Sequence, residues 1–90
     1  MILDDVFDFL DNTGLARTHA IFSTDFLGHS PRYYDYLRCS GAAPSLRSLL
    51  KVAICLADIS RAKGLSCPEA SERAAVLAHR AISVAMDRCH

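Results

Sequence analysis

Residues 22–57, FSTDFLGHSPRYYDYLRCSGAAPSLRSLLKVAICLA, decide the fold of this chain. They read as a short helix, a turn at Gly28, a second short helix, a loop of small residues and proline, and a long apolar helix. Gly28 fits the end of the first helix because glycine enters the left-handed backbone region without a steric penalty. This order predicts a helix-turn-helix motif over residues 22–41 with a supporting helix behind it.

The second helix of the motif has one side that is predicted to be buried. Ser30 is a good N-cap and Pro31 suits the first helical position, so we expect a helix over residues 31–38. Tyr34 and Leu37 are three residues apart and therefore share one side of that helix. Three other side chains are then expected to point outward: Arg32, Tyr33 and Tyr36.

The apolar and turn residues continue at regular spacing from Gly28 into the long helix: Ser30, Tyr34, Leu37, Pro44, Ser45, Leu46, Leu49, Leu50, Val52, Ala53 and Leu56. Between residues 27 and 56 this spacing resembles the Cro/CI (lambda-repressor-like, XRE-type) helix-turn-helix family without a gap. The resemblance implies an all-α, five-helix domain whose second motif helix enters the major groove of double-stranded DNA. It implies base contacts from three residues: Arg32, Tyr33 and Tyr36. It implies positions near the DNA backbone for three others: Thr24, Ser30 and Arg38.

The same stretch departs from the family's pattern in three places. Phe22-Ser23 lies one residue out of register with the usual Leu-Ala pair, Arg38 takes a position often held by Glu, and residues 41–43 replace a loop often rich in Arg and Lys. Two functions therefore stay open. One is a small DNA-binding transcriptional regulator, and the other is a protein-binding module of the antiactivator kind that keeps the fold without binding DNA. Tyrosine is a common anchor at protein interfaces, which suits the second.

Charge is distributed unevenly along the chain. The 90 residues have a formal net charge of zero, which is not the basic balance of a typical nucleic-acid binder. Residues 15–51 nevertheless carry five Lys or Arg against two Asp, whereas residues 1–14 carry four Asp and no Lys or Arg. The motif is therefore locally positive. The acidic first segment could repel DNA or meet a basic partner.

Further helices complete a single predicted domain over residues 1–90. Residues 2–12 place Leu3, Val6, Phe7 and Leu10 at helical spacing, with two Asp in the first turn, where the helix dipole favours negative charge. The first motif helix is expected from residue 19 to 27. Residues 68–88 contain no helix breaker after Pro68, and they are expected to form a long C-terminal helix. Its cap is either Ser66, in a capping box with Glu69, or Cys67.

The supporting helix is predicted over residues 45–62, with Ser45 as its cap and Gly64 after its end. One apolar stripe consists of Leu46, Leu49, Leu50, Ala53 and Leu56, and a second consists of Val52, Cys55, Ile59 and Ala62. A helix that is apolar on two sides is usually buried between two layers. We therefore expect the first stripe to face the motif and the C-terminal helix to cover the second. A chain this short gains stability from association, so a homodimer through the last helix or the second stripe is expected.

No catalytic, cofactor or metal motif is recognisable. The chain lacks a glycine-rich phosphate loop and a nucleophile motif, so we expect a non-enzyme without a cofactor. The four cysteines have no zinc spacing, and a site of Cys39, Cys67 and His79 matches no known ligand class. The acidic start does not fit a signal peptide, and no apolar run reaches the length of a membrane span. We therefore expect a cytoplasmic protein that keeps its cysteines as thiols and does not enter a membrane.

Overall fold

The computed structural model describes residues 2–63 and 68–88. The helices are α1 (Ile2–Asn12), α2 (His19–Ile21), a π-helical turn that continues α2 (Phe22–Phe26), α3 (Tyr33–Ser40), α4 (Leu46–Lys63) and α5 (Pro68–Asp87). No strand occurs in the described residues. Since α2 and the π turn are one continuous helix, the predicted all-α chain of five helices is confirmed.

The two longest helices, α4 and α5, form an antiparallel hairpin. The Ser71 hydroxyl near the start of α5 donates to the Ser60 carbonyl near the end of α4, at 2.7 Å. At the other end, the Arg88 guanidinium donates to the Pro44 carbonyl that precedes α4. The inner side of α5 lies in the core, where Ala74, Leu77, Ala78, Ala81 and Ala85 are buried.

α1 packs on this hairpin through its apolar side. Leu3, Val6 and Leu10 are fully buried, as their helical spacing predicts. The Arg80 guanidinium of α5 donates to the Asp5 carboxylate of α1 at 2.9 Å, and both side chains are about half exposed. The contact joins residues far apart in the chain at the rim of the core.

Gly28 forms the turn between the π turn and α3, and the structure gives two reasons for glycine there. Its φ is +69°, a backbone conformation that side-chain-bearing residues rarely adopt. A Cβ at this position would also lie 2.9 Å from the Cδ atom of Lys51 on α4. The turn therefore passes close over the first turns of α4.

The predicted caps are partly confirmed. Ser45 caps α4, since its Oγ accepts from the Ser48 backbone N–H at 3.2 Å. The prediction that Ser30 caps α3 is wrong. α3 begins at Tyr33, its N-cap residue is Arg32, and the Arg32 side chain makes no capping hydrogen bond. Residues 30–33 form a turn closed by a hydrogen bond from the Tyr33 N–H to the Ser30 carbonyl at 3.0 Å, so the helix starts two residues later than expected. The predicted end at Gly64 and the caps at Ser66 and Cys67 lie outside the described residues.

The predicted burial of Leu50 is wrong. Leu50 is 44% exposed, whereas the buried side of α4 consists of Leu49, Val52, Ala53 and Leu56. Successive residues of an α-helix are rotated by about 100°, so Leu50 cannot lie on the line that Leu49 shares with Ala53 and Leu56. Val52, from the second predicted stripe, completes the inner side instead. α4 thus has one wide buried side rather than two.

Adjacent leucines of α4 give a matched test of this packing. Leu49→Ala removes a fully buried side chain, so we expect the free energy of unfolding to fall by about 2–5 kcal/mol. Leu50→Ala removes a side chain that is partly in solvent, so we expect a loss below about 1 kcal/mol. Urea unfolding of dilute protein measures both values. Equal losses in the two variants would contradict the observed rotation of α4.

Candidate functional site

Aromatic packing fixes the rotation of α3 against the core. Tyr34 and Leu37 are each 2% exposed, as predicted. The Tyr34 ring meets the Phe22 ring edge to face, with 4.9 Å between the ring centroids, and it lies 5.7 Å from the Phe7 ring. With this side buried, the opposite side of α3 faces solvent.

The exposed side of α3 consists of Arg32, Asp35, Tyr36 and Cys39. Tyr36 is 60% exposed, the most exposed of the three tyrosines. Arg32 lies at the N-terminus of the helix, where its backbone carbonyl accepts the Tyr36 N–H at 2.9 Å. A cation, an anion and an aromatic ring therefore share one helical surface that is open to a large partner. We call this set of four residues the α3 surface.

Tyr33 does not point outward, and that prediction is wrong. Its side chain is half-buried, and its hydroxyl accepts the Ser45 backbone N–H at 2.9 Å and the Ser48 hydroxyl at 3.4 Å. Its ring is stacked on the His29 ring, with 3.9 Å between the centroids. Tyr33 therefore joins α3 to the N-terminus of α4 rather than extending into solvent.

The hydroxyl of Tyr33 is held in a polar environment. Burial raises its pKa, but the hydrogen bonds from Ser48 and from the Ser45 backbone and side chain, together with the nearby Arg88 charge, outweigh this effect. The pKa of Tyr33 consequently lies below the ordinary value of 10.0. The cluster also includes a contact of 3.2 Å between His29 Nε2 and Ser45 Oγ. These groups satisfy one another and the start of α4.

Arg38 is exposed but held against the body of the protein. Its Nε lies 3.7 Å from an Asp4 carboxylate oxygen, and its guanidinium carbon lies 5.7 Å from the centre of the Tyr34 ring. The same Asp4 carboxylate accepts the Tyr34 hydroxyl. The acidic α1 thus contacts the motif directly and neutralises part of its positive charge.

Thr24 and Ser30 are both exposed beside the turn. The Thr24 hydroxyl donates to the Ala20 carbonyl at 3.1 Å, one turn back in α2. The Ser30 carbonyl closes the turn into α3, as described above. Of the six predicted site residues, Arg32 and Tyr36 lie on the α3 surface, Tyr33 lies beneath it, and Arg38, Thr24 and Ser30 border it.

Two structural residues near the site were missed. Asp35 accepts from His19 Nδ1 at 2.6 Å, which links α3 to the start of α2. Ser23 is fully buried, and its hydroxyl donates to the His19 carbonyl at 2.9 Å and accepts the Tyr34 N–H at 3.0 Å. A serine at a core position of an apolar helix was the available signal, since a buried hydroxyl requires partners.

No cluster of three or more histidine, cysteine or acidic side chains within residues 2–63 and 68–88 is arranged to hold an ion. The combination of Cys39, Cys67 and His79 considered from the sequence includes Cys67, which lies outside those residues. Across the same ranges, no helix combines the length and hydropathy needed to cross a bilayer.

Comparison with known proteins gives one match. A family model covers residues 3–90, almost the whole chain. The chain belongs to DUF6626, a family of unknown function. Searches of curated proteins and of solved structures found no match. Membership of DUF6626 therefore assigns no role to the α3 surface.

The hydroxyls of two tyrosines on α3 give a test of the site's geometry in this DUF6626 protein. Tyr33→Phe removes the acceptor for the Ser45 N–H, so we expect the free energy of unfolding to fall by about 1 kcal/mol. Tyr36→Phe removes an exposed hydroxyl, and we expect a change within about 0.5 kcal/mol. Thermal or urea unfolding measures both. No loss in Tyr33→Phe would contradict the structural role of that hydroxyl.

The buried Tyr34 predicts a loss of stability at alkaline pH. Burial, followed by its hydrogen bond to Asp4 and the Asp4 charge, raises the pKa of Tyr34 above the ordinary value of 10.0. Because the folded protein binds this proton more tightly than the unfolded chain, the resulting stability is fully present below pH 10 and decreases as the pH rises above it. Urea unfolding on either side of pH 10 measures the effect. Tyr34→Phe should remove this part of the alkaline loss, whereas Tyr36→Phe should retain it.

Proposed function

We propose that this protein is a small DNA-binding transcriptional regulator that reads the major groove with the α3 surface. The observation that carries the proposal is the fixed rotation of α3: Tyr34 and Leu37 hold it to the core directly after the Gly28 turn, which leaves Arg32 and Tyr36 in solvent. A helix held in this way is rigid enough to enter a groove and to carry side chains to base edges. The proposed role is binding, not catalysis, and it places the protein in the cytoplasm.

The charges around the motif support an approach to DNA. Arg32 at the start of α3 and Lys51 near the start of α4 are exposed. The Lys51 chain lies beside the Gly28 turn, close to the start of α3. Cations that flank a protruding helix neutralise phosphates and set its register along the duplex. In this proposal Thr24, Ser30 and Arg38 border the DNA backbone.

The base contacts of the proposal are limited to the exposed residues. Arg32 has the length and the planar donors to bind a guanine edge through two hydrogen bonds. The Tyr36 ring supplies apolar contact area beside it. Tyr33 positions α3 from beneath, so its effect on binding is indirect. A homodimer, which we also propose, would present two α3 helices to two half-sites about one helical turn apart.

A protein partner is the second candidate, and one specific observation favours it. Asp35 is exposed beside Tyr36 on the α3 surface, where a carboxylate would be repelled by a phosphate backbone. The formal net charge of zero points in the same direction. An aromatic anchor with charged neighbours of both signs is a common composition of a protein interface. This candidate uses the same surface without DNA.

Arginine substitutions at matched positions test the DNA proposal. Arg32→Ala should weaken binding to the preferred duplex by about 1–3 kcal/mol if Arg32 reads a guanine. Arg73→Ala removes the same charge from an exposed position on α5, so it should leave binding nearly unchanged. Selection from a random duplex library, followed by fluorescence anisotropy at several salt concentrations, measures both. The affinity of the unmodified protein should fall steeply with salt.

The two candidates predict different outcomes of the same measurements. Equal losses in the two arginine variants would indicate non-specific attraction rather than reading by α3. If no duplex binds even at low salt, the DNA proposal is wrong. A protein partner captured through α3 would instead lose about 2 kcal/mol or more with Tyr36→Ala and show weak salt dependence.

A further inference from the structure

The outer side of α4 carries an apolar patch that no described residue covers. Ile54 is 63% exposed and Leu50 is 44% exposed, although the opposite side of the same helix is fully buried. Ile82 of α5, 41% exposed, lines a groove together with Ile54 between the two helices. A second hollow lies on the other side of Ile54, beside Leu46 and Leu50. The exposed Ile54 side chain therefore lies between two hollows that are lined in part by apolar side chains.

Charged residues bracket this patch with opposite signs. Arg47 lies toward the N-terminus of α4 and Asp58 toward its C-terminus, and both are exposed. They are eleven residues apart, which is about three helical turns, so they point in nearly the same direction as Ile54. The midpoint of Arg47 and Asp58 falls between residues 52 and 53, and the midpoint of Leu50 and Ile54 falls at residue 52. When a second α4 helix is placed antiparallel to the first, Arg47 therefore lies opposite Asp58, and Leu50 lies opposite Ile54.

We propose that the outer side of α4 binds a second copy of this chain, with the two α4 helices antiparallel about a two-fold axis at residue 52. In this arrangement Ile54 of each copy packs beside Leu50 of the other, and Arg47 of each copy meets Asp58 of the other. A two-fold interface requires such reciprocal contacts, because each residue pair occurs twice. The inference does not depend on DNA binding.

The neighbouring charges are compatible with this arrangement. Asp58 already forms an ion pair with Arg61 in its own chain, so Arg47 of the second copy would extend that pair into a network. The Lys51 chain lies against the Gly28 turn, which draws its charge to the side of the α4 surface. The two Lys51 ammonium groups of a dimer are thereby kept away from the axis, where like charges would repel.

The proposed contact between the two α4 helices is short, and its length determines how strongly the two copies are expected to associate. From Arg47 to Asp58 it spans about 17 Å of helix, with the α5 groove at one edge. Interfaces of obligate dimers are larger than this patch provides. We therefore expect a reversible dimer whose population rises with protein concentration.

Charge reversal tests the reciprocal pairing. Arg47→Glu places a second carboxylate opposite Asp58, and Asp58→Arg places a second guanidinium opposite Arg47. Each repulsion occurs twice, so each variant alone should dimerise at least about tenfold more weakly. In a mixed pair of the two variants, the two substituted side chains face each other with opposite charges. The unchanged Arg47 of one chain and the unchanged Asp58 of the other form the second contact in its original form. The mixture should therefore dimerise like the unmodified chain. Arg73→Glu, a reversal on α5 away from the patch, should change nothing. Sedimentation equilibrium over a wide concentration range measures the unmodified chain, the three variants and the mixture, and circular dichroism confirms that each is folded.

Several results would overturn the inference. A monomer at every concentration would show that the patch does not bind a second copy and would leave a helix of another protein as its occupant. Unchanged dimerisation in both single variants would place the interface elsewhere. Failure of the mixture to associate, with both variants folded and weakened, would reject the antiparallel register. Loss of DNA binding in a variant that still dimerises would concern the proposed function alone.

Discussion

The buried hydroxyl of Ser23 is the constraint on which the position of α3 depends. It donates to the His19 carbonyl and accepts the Tyr34 N–H, and the carbonyl of the same residue accepts the His29 N–H at 3.0 Å. α3 has no side-chain cap from its own N-cap residue, so this contact supplies a partner for one of its first N–H groups. The rotation of α3, and with it the direction of Arg32 and Tyr36, follows from a serine in the preceding helix.

Much of the fold could be predicted from local rules. The Gly28 turn, the Ser45 cap and the bounds of the long helices follow from residue preferences that act within a few positions of the chain. The burial of Leu50 was predicted wrongly because the apolar residues of α4 were assigned to two separate stripes. The side of α4 that is buried depends instead on where α5 and the preceding helices pack. When a helix has large apolar residues around most of its circumference, its sequence alone does not predict which of them face the core.

The candidate site was less predictable because its side chains are oriented by distant residues. Tyr33 turns inward to Ser45, Asp35 binds His19, and Arg38 lies beside Asp4. Each of these partners lies at least twelve residues away in the sequence and on another element, so the periodicity of α3 gives no indication of them. Arg32 and Tyr36 lie outward because their direction depends only on the burial of the other side of α3, which local spacing does predict.

The antiparallel hairpin of α4 and α5 has a consequence for how the chain folds. Its two helices are separated by only four residues in the sequence, so bringing them together has a small cost in chain entropy. The contact of Asp5 with Arg80, by contrast, encloses most of the chain between its partners. We therefore expect the hairpin to form early during folding and α1 to dock late. Because Asp4 reaches the Tyr34 hydroxyl, α3 attains its final environment only when that last step is complete.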